Sequence, residues 1–329
     1  MTVSEPVRLA GPGEIIAAVP SVLGFYPANS VVALFVAGGV LRCGMRSDAE
    51  VAAAFDALEG LRAAVTSTGA SAVVLIAVAD ASHADDAAMI VRSAVNVLAD
   101  LGVGVSALSV AAIEVGAQFT DLLGGAVGTV PDPMGCPVME EALRVGREVA
   151  ASRSVLEDRY RTGEEISRQV QAAAARARGS ELIAVTMEDL VEVVRSRQVP
   201  SDDLIARIGF VLGQELLAVR DSLAYSAAYG HQAAESAMLH AAARLRGRER
   251  AHAMAVVALM SYVHNGSAQT RLAIDAAFAA VEEIGAEVPR LVELLHRAYQ
   301  CALPGEAFAG SVPAKSVVER DTGAVLPTP

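Results

Sequence analysis

The chain has no tryptophan, only three cysteines and, among its 26 basic residues, a single lysine, Lys315. Aromatic residues make up 4% of the 329 residues, whereas apolar residues make up 53% and charged residues 19%. This balance excludes a disordered chain and supplies enough apolar material for a packed interior. A core so poor in aromatic rings has to be built from Ala, Val, Leu and Ile, which predicts close contacts between helices.

The number and spacing of the cysteines indicate the redox compartment in which the protein works. Cys43, Cys136 and Cys301 are far apart, odd in number and outside any Cys-x-x-Cys pair. This pattern argues against a disulfide framework and a zinc site, and it fits a reducing compartment. The sequence also lacks an apolar run of 18 or more residues and a leader of basic and then apolar residues. We therefore expect a cytoplasmic protein with no membrane association.

Acidic residues outnumber basic ones, 38 to 26, and the formal net charge is −12. Residues 1–150 carry 7 Arg and no Lys against 16 Asp and Glu, which gives −9. Nucleic-acid affinity comes largely from cations that displace counterions, so we expect no DNA binding. Arginines become frequent from Arg144 onward, but acidic residues are interleaved with them, as on a solvated helix face. An accessory role on RNA through these helices is a third alternative for the function.

The first half of the chain alternates β-rich and helical patterns. Two β-rich runs, 30–37 and 40–46, are joined by Gly38-Gly39, a pair typical of a tight hairpin because both residues reach positive φ. The continuous apolar run 71–79 predicts a strand buried on both faces. Further strands are expected at 7–10, 105–115 and 117–123, and helices at 14–19, 50–66 and 85–101. The order hairpin, helix, strand, helix, strand predicts an α/β domain with a mixed sheet and a parallel portion.

The second half is predicted to be helical. We expect an α/β domain at 1–123, a Gly- and Pro-rich linker at 124–138, an all-α domain at 139–304 and a mobile tail at 305–329. The helical patterns cover 139–150, 154–178, 187–197, 202–218, 224–246, 249–263, 269–285 and 289–302. The pair 249–263 and 269–285 predicts a helical hairpin close in length to tetratricopeptide-type units, without a second clear copy.

The N-terminal sequence resembles a known family. The resemblance is carried by Gly11-Pro12-Gly13, by a short helix ending in Val19-Pro20 and by Leu23-Gly24-Phe25 before the hairpin. These residues resemble an actinobacterial group, the domain of unknown function 4192 family, and the likeness extends over about residues 6–308. It implies the fold class and no known activity. Members of that family often carry a Trp-rich strand and a Cys- and Pro-rich loop. Here residues 117–123 lack Trp and Gly135-Cys136-Pro137 is all that remains of the loop, so a function carried there would be altered or lost.

Polar side chains follow the predicted buried strand. Asp80, His83 and Asp85 come directly after it, and Asp48 closes the neighbouring strand. Ligands in open α/β sheets tend to bind at the carboxyl ends of strands, which makes these residues candidate ligand-binding residues. An Asp beside a His can act as a base with its orienting group, and carboxylates can hold a divalent cation. The structural alternative is a polar loop whose carboxylates favour the start of the next helix.

Gly11 and Gly13 form a second candidate for ligand binding, because backbone N–H groups ahead of a helix can hold an anion. Their spacing matches no dinucleotide or P-loop pattern, no Lys follows, and Pro12 removes one donor. The alternative is a turn that folds the helix back onto the sheet. Glu293-Leu294-Leu295-His296 fits a metal-binding helix motif once, with no second copy, so we expect no metal site.

These patterns favour a non-enzymatic interaction or ligand-sensing protein that offers its helical domain to a protein partner. Neither a cofactor nor an oligomeric state follows from the sequence. The alternative is a hydrolase or nucleotide-processing enzyme that uses Asp48, Asp80 and His83 at the carboxyl edge of the sheet. The two hypotheses differ in whether those side chains converge within hydrogen-bonding distance in a concave pocket.

Overall fold

The computed structural model describes residues 9, 11–144, 147–264, 267–301, 303 and 305–329, with the backbone alone at 51–56, 267 and 306. The strand expected at 7–10 therefore lies, apart from Leu9, outside the described residues. The chain forms two compact units. The first holds Met1–Leu156 and Ala298–Pro304, and the second holds Glu157–Arg297 and Gly305–Pro329. The division therefore falls later than the expected linker.

Among the residues described, six strands form one sheet in the first unit, in the order β2-β1-β3-β4-β5-β6. The strands are β1 (Ser30–Ala37), β2 (Val40–Asp48), β3 (Ala72–Val78), β4 (Gly104–Val110), β5 (Gln118–Asp121) and β6 (Val127–Thr129). The helices that begin in this unit are α1 (Pro12–Leu23), α2 (Val51–Thr68), α3 (Ala84–Asp100), α4 (Pro137–Arg144) and α5 (Arg153–Asp158). β3 and β4 are parallel, and the other four pairings are antiparallel. This is the predicted mixed sheet with a parallel portion.

The hairpin between β1 and β2 turns at Gly38 and Gly39, whose φ angles are 59° and 76°. Both angles lie in the left-handed region, which glycine enters without steric cost. The right-handed twist of the strands favours such a two-residue turn, so the predicted hairpin is confirmed.

The apolar run at 71–79 forms β3, which lies between β1 and β4. Side chains alternate between the two faces of a strand. Leu75 belongs to the core shared with α2 and α3, whereas its neighbour Ile76 points to the opposite face and is also fully buried. Burial on both faces explains why this strand has no polar alternation.

The second face of the sheet is crossed by α1. A Cβ at Gly13 would lie 2.6 Å from the backbone oxygen of Thr129 in β6, and one at Gly44 in β2 would lie 2.9 Å from Val22. The start of α1 therefore packs on one edge strand and its end on the other. Glycine at these two positions allows the close approach.

The segment 124–138, expected to be a linker, contributes β6 and a 3₁₀ turn at Pro133–Gly135. β6 pairs with β5, with Phe119 opposite Gly128. Gly and Pro mark turns within a sheet as well as linkers between domains, so composition alone did not separate the two cases.

The second unit is helical. Its helices are α6 (Arg168–Arg178), α7 (Leu182–Ser196), α8 (Asp202–Gly213), α9 (Leu217–Ala224), α10 (His231–Arg244), α11 (Gly247–Val263), α12 (Ser267–Glu282), α13 (Arg290–Gln300) and α14 (Lys315–Thr322). The ends of α5 and α13 pass the division between the units. α11 is the centre, with 15 of its 17 residues buried against α8, α9, α10 and α12. From Ala253 to Met260 the helix is apolar on every side, which is typical of such a position. α11 and α12 form the predicted helical hairpin.

The prediction of one helix over 154–178 is wrong, because residues 159–167 between α5 and α6 are non-helical and contact the corner between α10 and α11. Three arginines of that corner hold their carbonyl oxygens. Arg250 donates to Tyr160 at 2.6 Å, Arg244 donates to Glu164 at 2.6 Å, and Arg246 donates to Gly163. These hydrogen bonds join residues that are far apart in the sequence, so the helical periodicity of 154–178 gives no sign of them.

The segment expected to be a mobile tail contains a 3₁₀ helix at Gly305–Ser311 and then α14. Val318 of α14 is fully buried, and the Tyr229 hydroxyl donates to the carbonyl of Pro327 at 2.6 Å. Ordered packing of this kind differs from the expectation, which rested on the Gly and Pro content. No helix in the described part of the chain combines the length and apolar character needed to cross a membrane.

Candidate functional site

The carboxyl edge of the sheet carries the first predicted site. Ser30 at the start of β1 lies opposite Asp48 on one side and Val78 on the other. The end of β2, the start of β1 and the end of β3 therefore form one row. Two strand spacings separate β2 from β3, about 10 Å.

Asp80 follows β3 and accepts hydrogen bonds through both carboxylate oxygens. Its Oδ1 accepts from the Ser82 hydroxyl at 2.6 Å and from the Ser82 N–H at 2.9 Å. The same oxygen accepts from the His83 N–H at 3.2 Å and lies 2.9 Å from His83 Nδ1. Oδ2 accepts from Asn29 Nδ2 at 3.2 Å. The carboxylate thus closes its own turn and joins it to the start of β1.

These hydrogen bonds hold the pKa of Asp80 well below its usual range, with Ser82 the largest cause, followed by His83 and Asn29. The ionised form is the one that accepts these bonds, so they favour it. The side chains of Asp80 and His83 remain 57% and 38% exposed. The arrangement is that of a turn before α3, for which His83 is the residue ahead of the first helical position.

Asp48 is engaged elsewhere. Its carboxylate lies 2.5 Å from Arg46 Nη2 and 3.7 Å from Arg153 Nη1, and Arg46 Nε donates to the Ser30 hydroxyl at 2.8 Å. Asp85 is exposed in the first turn of α3. The structure therefore brings Asp80 and His83 together, and it leaves Asp48 two strands away and Asp85 in solvent.

Gly11 and Gly13 lie at the start of α1, beside β6, whereas Asp48 ends β2 at the opposite edge of the sheet. An open depression of about 360 Å³ adjoins them, lined by Gly11, Pro12, Gly13, Glu14, Phe119, Gly128, Thr129 and Pro131. A carboxylate in the first turn, Glu14, occupies the place that the helix dipole offers to an anion. Gly13 approaches the backbone of Thr129 closely, so packing explains why position 13 is a glycine.

The helical unit holds a second concavity that the sequence patterns did not reveal. It lies at the C-terminal end of α11 and has a volume of about 290 Å³. Its lining comes from α9 and the following 3₁₀ turn, from the end of α11 and from residues 309–313. The lining residues are Ala224, Tyr225, Ala227, Ala228, Met260, Val263, His264, Ala309, Val312 and Pro313. We call it the α11-end pocket.

Two imidazoles stack at the wall of the α11-end pocket. The ring of His264 lies on the ring of His231, with centroids 3.6 Å apart and 16° between their planes. His264 Nδ1 is 3.1 Å from the carbonyl oxygen of Met260, and His231 Nε2 is 3.4 Å from the buried carboxylate of Glu235. The sequence shows these histidines only as residues on or beside helices. Their meeting depends on how α10 packs on α11.

The remaining candidates from the sequence are structural. His296 of the Glu-x-x-His match packs edge-to-face on Phe278, and burial lowers its pKa. Within the described ranges, no group of three or more His, Cys, Asp or Glu side chains is arranged to hold a metal ion. Cys136 is 4% exposed, as expected for a packing residue.

Comparison with known protein families gives a match. The family model described as a domain of unknown function (DUF4192) matches residues 12–306. No curated protein and no solved structure matches the chain. The match begins in the turn that carries the N-terminal resemblance and ends just after α13. Since it covers most of the 329 residues, the chain belongs to the DUF4192 family.

Proposed function

We propose that the protein binds a small, largely apolar molecule in the α11-end pocket and works as a ligand sensor. The observation that carries this proposal is the pocket, a concavity of about 290 Å³ at the end of a buried helix. Eight of its ten lining residues are Ala, Val, Met or Pro, and the other two are Tyr225 and His264. Apolar walls with few polar groups are typical of small-molecule sites.

The hydrogen bonds that Asp80 accepts also favour ligand binding over catalysis at the carboxyl edge of the sheet. The enzyme hypothesis needs Asp48, Asp80 and His83 to converge on one substrate. Asp80 instead accepts hydrogen bonds from Ser82, His83 and Asn29. Asp48 pairs with Arg46 at the end of another strand. A base already engaged by several donors is poorly placed to take a further proton from a substrate.

We propose further that a protein partner in the cytoplasm reads the occupied state on the helical unit. Residues 309–313 line the α11-end pocket and lead directly into α14. A ligand that contacts this wall contacts the segment that positions α14. The change that a partner would detect is therefore expected near α14.

The test uses benzyl alcohol as a probe, a neutral ring compound small enough for the pocket. At tenfold its dissociation constant it should stabilise the native state by about 1.4 kcal/mol and raise Tm by about 2–4 °C. Ala228 is exposed at the pocket, so Ala228→Leu fills the space without altering a core position. This variant should lose the Tm shift. The matched control is Ala173→Leu on the exposed face of α6, which should retain it.

An equal Tm shift in both variants would show that benzyl alcohol binds elsewhere, and the proposal would fail. Absence of any shift in the unmodified protein, up to millimolar probe concentration and with matching calorimetry, would have the same consequence.

A further inference from the structure

α14 and the residues after it, 315–327, lie on the surface that α7 and α9 form in the helical unit, and we call them the α14 segment. Val318 of α14 is fully buried. In the non-helical residues that follow α14, Ala324 and Leu326 are buried, whereas Val325 between them is 81% exposed. Burial of every second side chain is typical of a peptide that lies along a protein surface with alternate residues in contact.

The helical unit also binds backbone groups of the α14 segment. Glu188 of α7 accepts a hydrogen bond from the Val325 N–H at 2.8 Å, and the Tyr229 hydroxyl donates to the Pro327 carbonyl at 2.6 Å. Burial, followed by the neighbouring Tyr225, raises the pKa of Tyr229 to about 12, so its hydroxyl keeps the proton that it donates. Almost every residue carries a backbone N–H and a carbonyl, so these two contacts would hold another chain as well.

The turn out of α14 packs directly on α7. Gly323, with a φ of 74°, makes this turn, and a Cβ there would lie 3.9 Å from the Cβ of Ala184. The residues of the helical unit that contact residues 323–327 in these ways are Ala184, Glu188 and Tyr229, which we call the α7–α9 site. Its occupant at 324–327 has the pattern small apolar residue, exposed residue, Leu and Pro.

The family match separates the α7–α9 site from its occupant. The matched residues, 12–306, include all three residues of the site, whereas the α14 segment lies beyond residue 306. The α14 segment is therefore a tethered occupant of a surface that the matched domain itself supplies.

We propose that the α7–α9 site binds a segment of a partner protein with the pattern small apolar residue, any residue, Leu and Pro, and that the α14 segment fills the site when the partner is absent. This inference rests on the protein partner proposed above, because it names the surface and the peptide chemistry of that contact. It needs no ligand in the α11-end pocket. Residues 309–313 line that pocket and lead directly into α14, so displacement of the α14 segment would also release one wall of the pocket.

The tether sets the strength of the competition. A tethered segment faces its site at an effective concentration on the order of millimolar for a short flexible linker. A peptide of the same sequence therefore displaces half of the α14 segment only when its own concentration reaches that range. Weakening the tethered copy alone removes the competition, so the peptide should then bind at a lower concentration.

Lys315, the single lysine of the chain, reports release of the α14 segment. It begins α14, so lysyl endopeptidase has one cleavage site in the full chain, and cleavage there requires α14 to leave its place. Leu326→Asn puts an amide at a buried position and should speed this cleavage by at least about tenfold. The matched control is Val325→Asn, which puts the same amide on the exposed neighbour and should keep the wild-type rate.

The direct test adds a synthetic peptide of residues 316–329, which contains no lysine. At millimolar concentration it should speed lysyl endopeptidase cleavage of the wild-type chain, because it holds the site while the α14 segment is released. By fluorescence anisotropy, the labelled peptide should bind the Leu326→Asn chain at least about tenfold more tightly than the wild-type chain. The peptide carrying Leu326→Asn should have neither effect, and the peptide carrying Val325→Asn should have both.

Wild-type cleavage that millimolar peptide leaves unchanged would overturn this inference, and so would equal effects of the two substituted peptides. A wild-type dimer in light scattering that exchanges its α14 segments would overturn it in favour of a second copy as the occupant. The wild-type chain and the three peptides decide the matter even if the Leu326→Asn chain does not fold. A Tm shift with benzyl alcohol but no peptide effect would leave the ligand site standing and overturn this inference alone.

Discussion

Asn29 and Asp80 exchange two hydrogen bonds: Asn29 Nδ2 donates to Asp80 Oδ2 at 3.2 Å, and the Asp80 N–H donates to Asn29 Oδ1 at 3.1 Å. Asn29 has a φ of 45°, in the left-handed region that Asn tolerates better than most residues. The pair therefore joins the turn before β1 to the turn after β3. It makes Asp80 a residue that positions two strand ends.

Replacement of Asp80 tests this role through pH. The folded pKa of Asp80 is lowered by its hydrogen bonds to Ser82, His83 and Asn29. Its contribution to stability is therefore present above the unfolded pKa of about 3.9 and is lost as the pH falls from there towards the folded pKa. Asp80→Asn should be less stable than the wild type at pH 6–7, and this difference in unfolding free energy should narrow as the pH falls below about 4.

The measurement is urea unfolding followed by circular dichroism at several pH values. The control is Asp85→Asn, because Asp85 is a second exposed carboxylate, which lies in the first turn of α3. The Asp85→Asn variant should differ less from the wild type in its free energy of unfolding. A gap for Asp80→Asn that stays constant down to pH 3 would show that the carboxylate charge does not hold the turn.

Gly13 and Gly11 differ sharply in the space around them. A Cβ at Gly13 would lie 2.6 Å from the Thr129 backbone oxygen, whereas one at Gly11 would meet nothing within 4 Å. In an open helix position, Gly→Ala stabilises by about 0.5–1 kcal/mol. At Gly13 the backbone clash should reverse the sign and destabilise by about 1–3 kcal/mol.

Thermal unfolding of Gly13→Ala and Gly11→Ala checks this prediction. Gly11 has extended backbone, so Ala is accommodated there and should change Tm little. Equal behaviour of the two variants would mean that α1 does not pack closely on β6. In that case the anion-binding interpretation of the Gly11–Gly13 turn would regain its place.

Some of this fold follows from local sequence and some does not. The hairpin at Gly38-Gly39, the buried strand β3 and the α11–α12 pair are each specified by residues close in sequence, through turn chemistry or apolar runs. Asp80 and His83 were found together for the same reason, since they are three residues apart. The order of these elements was enough to predict the mixed sheet.

The stacked pair of His231 and His264 had no local signal, because it forms only when α10 packs on α11. The break between α5 and α6 depends likewise on arginines of the α10–α11 corner, such as Arg250, which lies 90 residues from its partner Tyr160. The ordered packing of residues 305–329 likewise has no signal in their composition, which does not show that Val318 is buried. Tertiary contacts overrode the local pattern in each case.

The three thiols should differ in reactivity. Burial raises the pKa of Cys43 to about 11, and Cys136 is 4% exposed, whereas Cys301 is exposed. The thiolate is the reactive species, so at pH 8 iodoacetamide should label Cys301 first and Cys43 about 100-fold more slowly. Peptide mass spectrometry after short exposures gives the order. In urea all three should react alike, and early labelling of Cys43 in the native protein would contradict its partial burial within β2.

Two buried arginines of the helical unit allow a sharper test of what buried charge does. Arg250 is 4% exposed and donates to the backbone oxygens of Ala242 at 2.5 Å and Tyr160 at 2.6 Å. Arg207 is 2% exposed and pairs with Asp189 at 2.7 Å and Asp203 at 3.0 Å. Arg250 thus donates to buried backbone carbonyls, whereas Arg207 pairs with carboxylates whose side chains are 48% and 46% exposed.

Methionine fills much of the space of either arginine side chain but cannot donate a hydrogen bond. Arg250→Met removes the arginine donor from the Tyr160 carbonyl and from the Ala242 carbonyl, which keeps only the long bond from the Leu245 N–H, so it should destabilise by about 2–4 kcal/mol. Arg207→Met leaves two carboxylates that water can solvate, so the loss should stay within about 1 kcal/mol. The double substitution Asp189→Ala and Asp203→Ala leaves the buried Arg207 cation without its carboxylate partners. It should lower the free energy of unfolding by about 3–5 kcal/mol. Urea unfolding of the three variants gives the comparison, and equal losses for the two methionine variants would refute it.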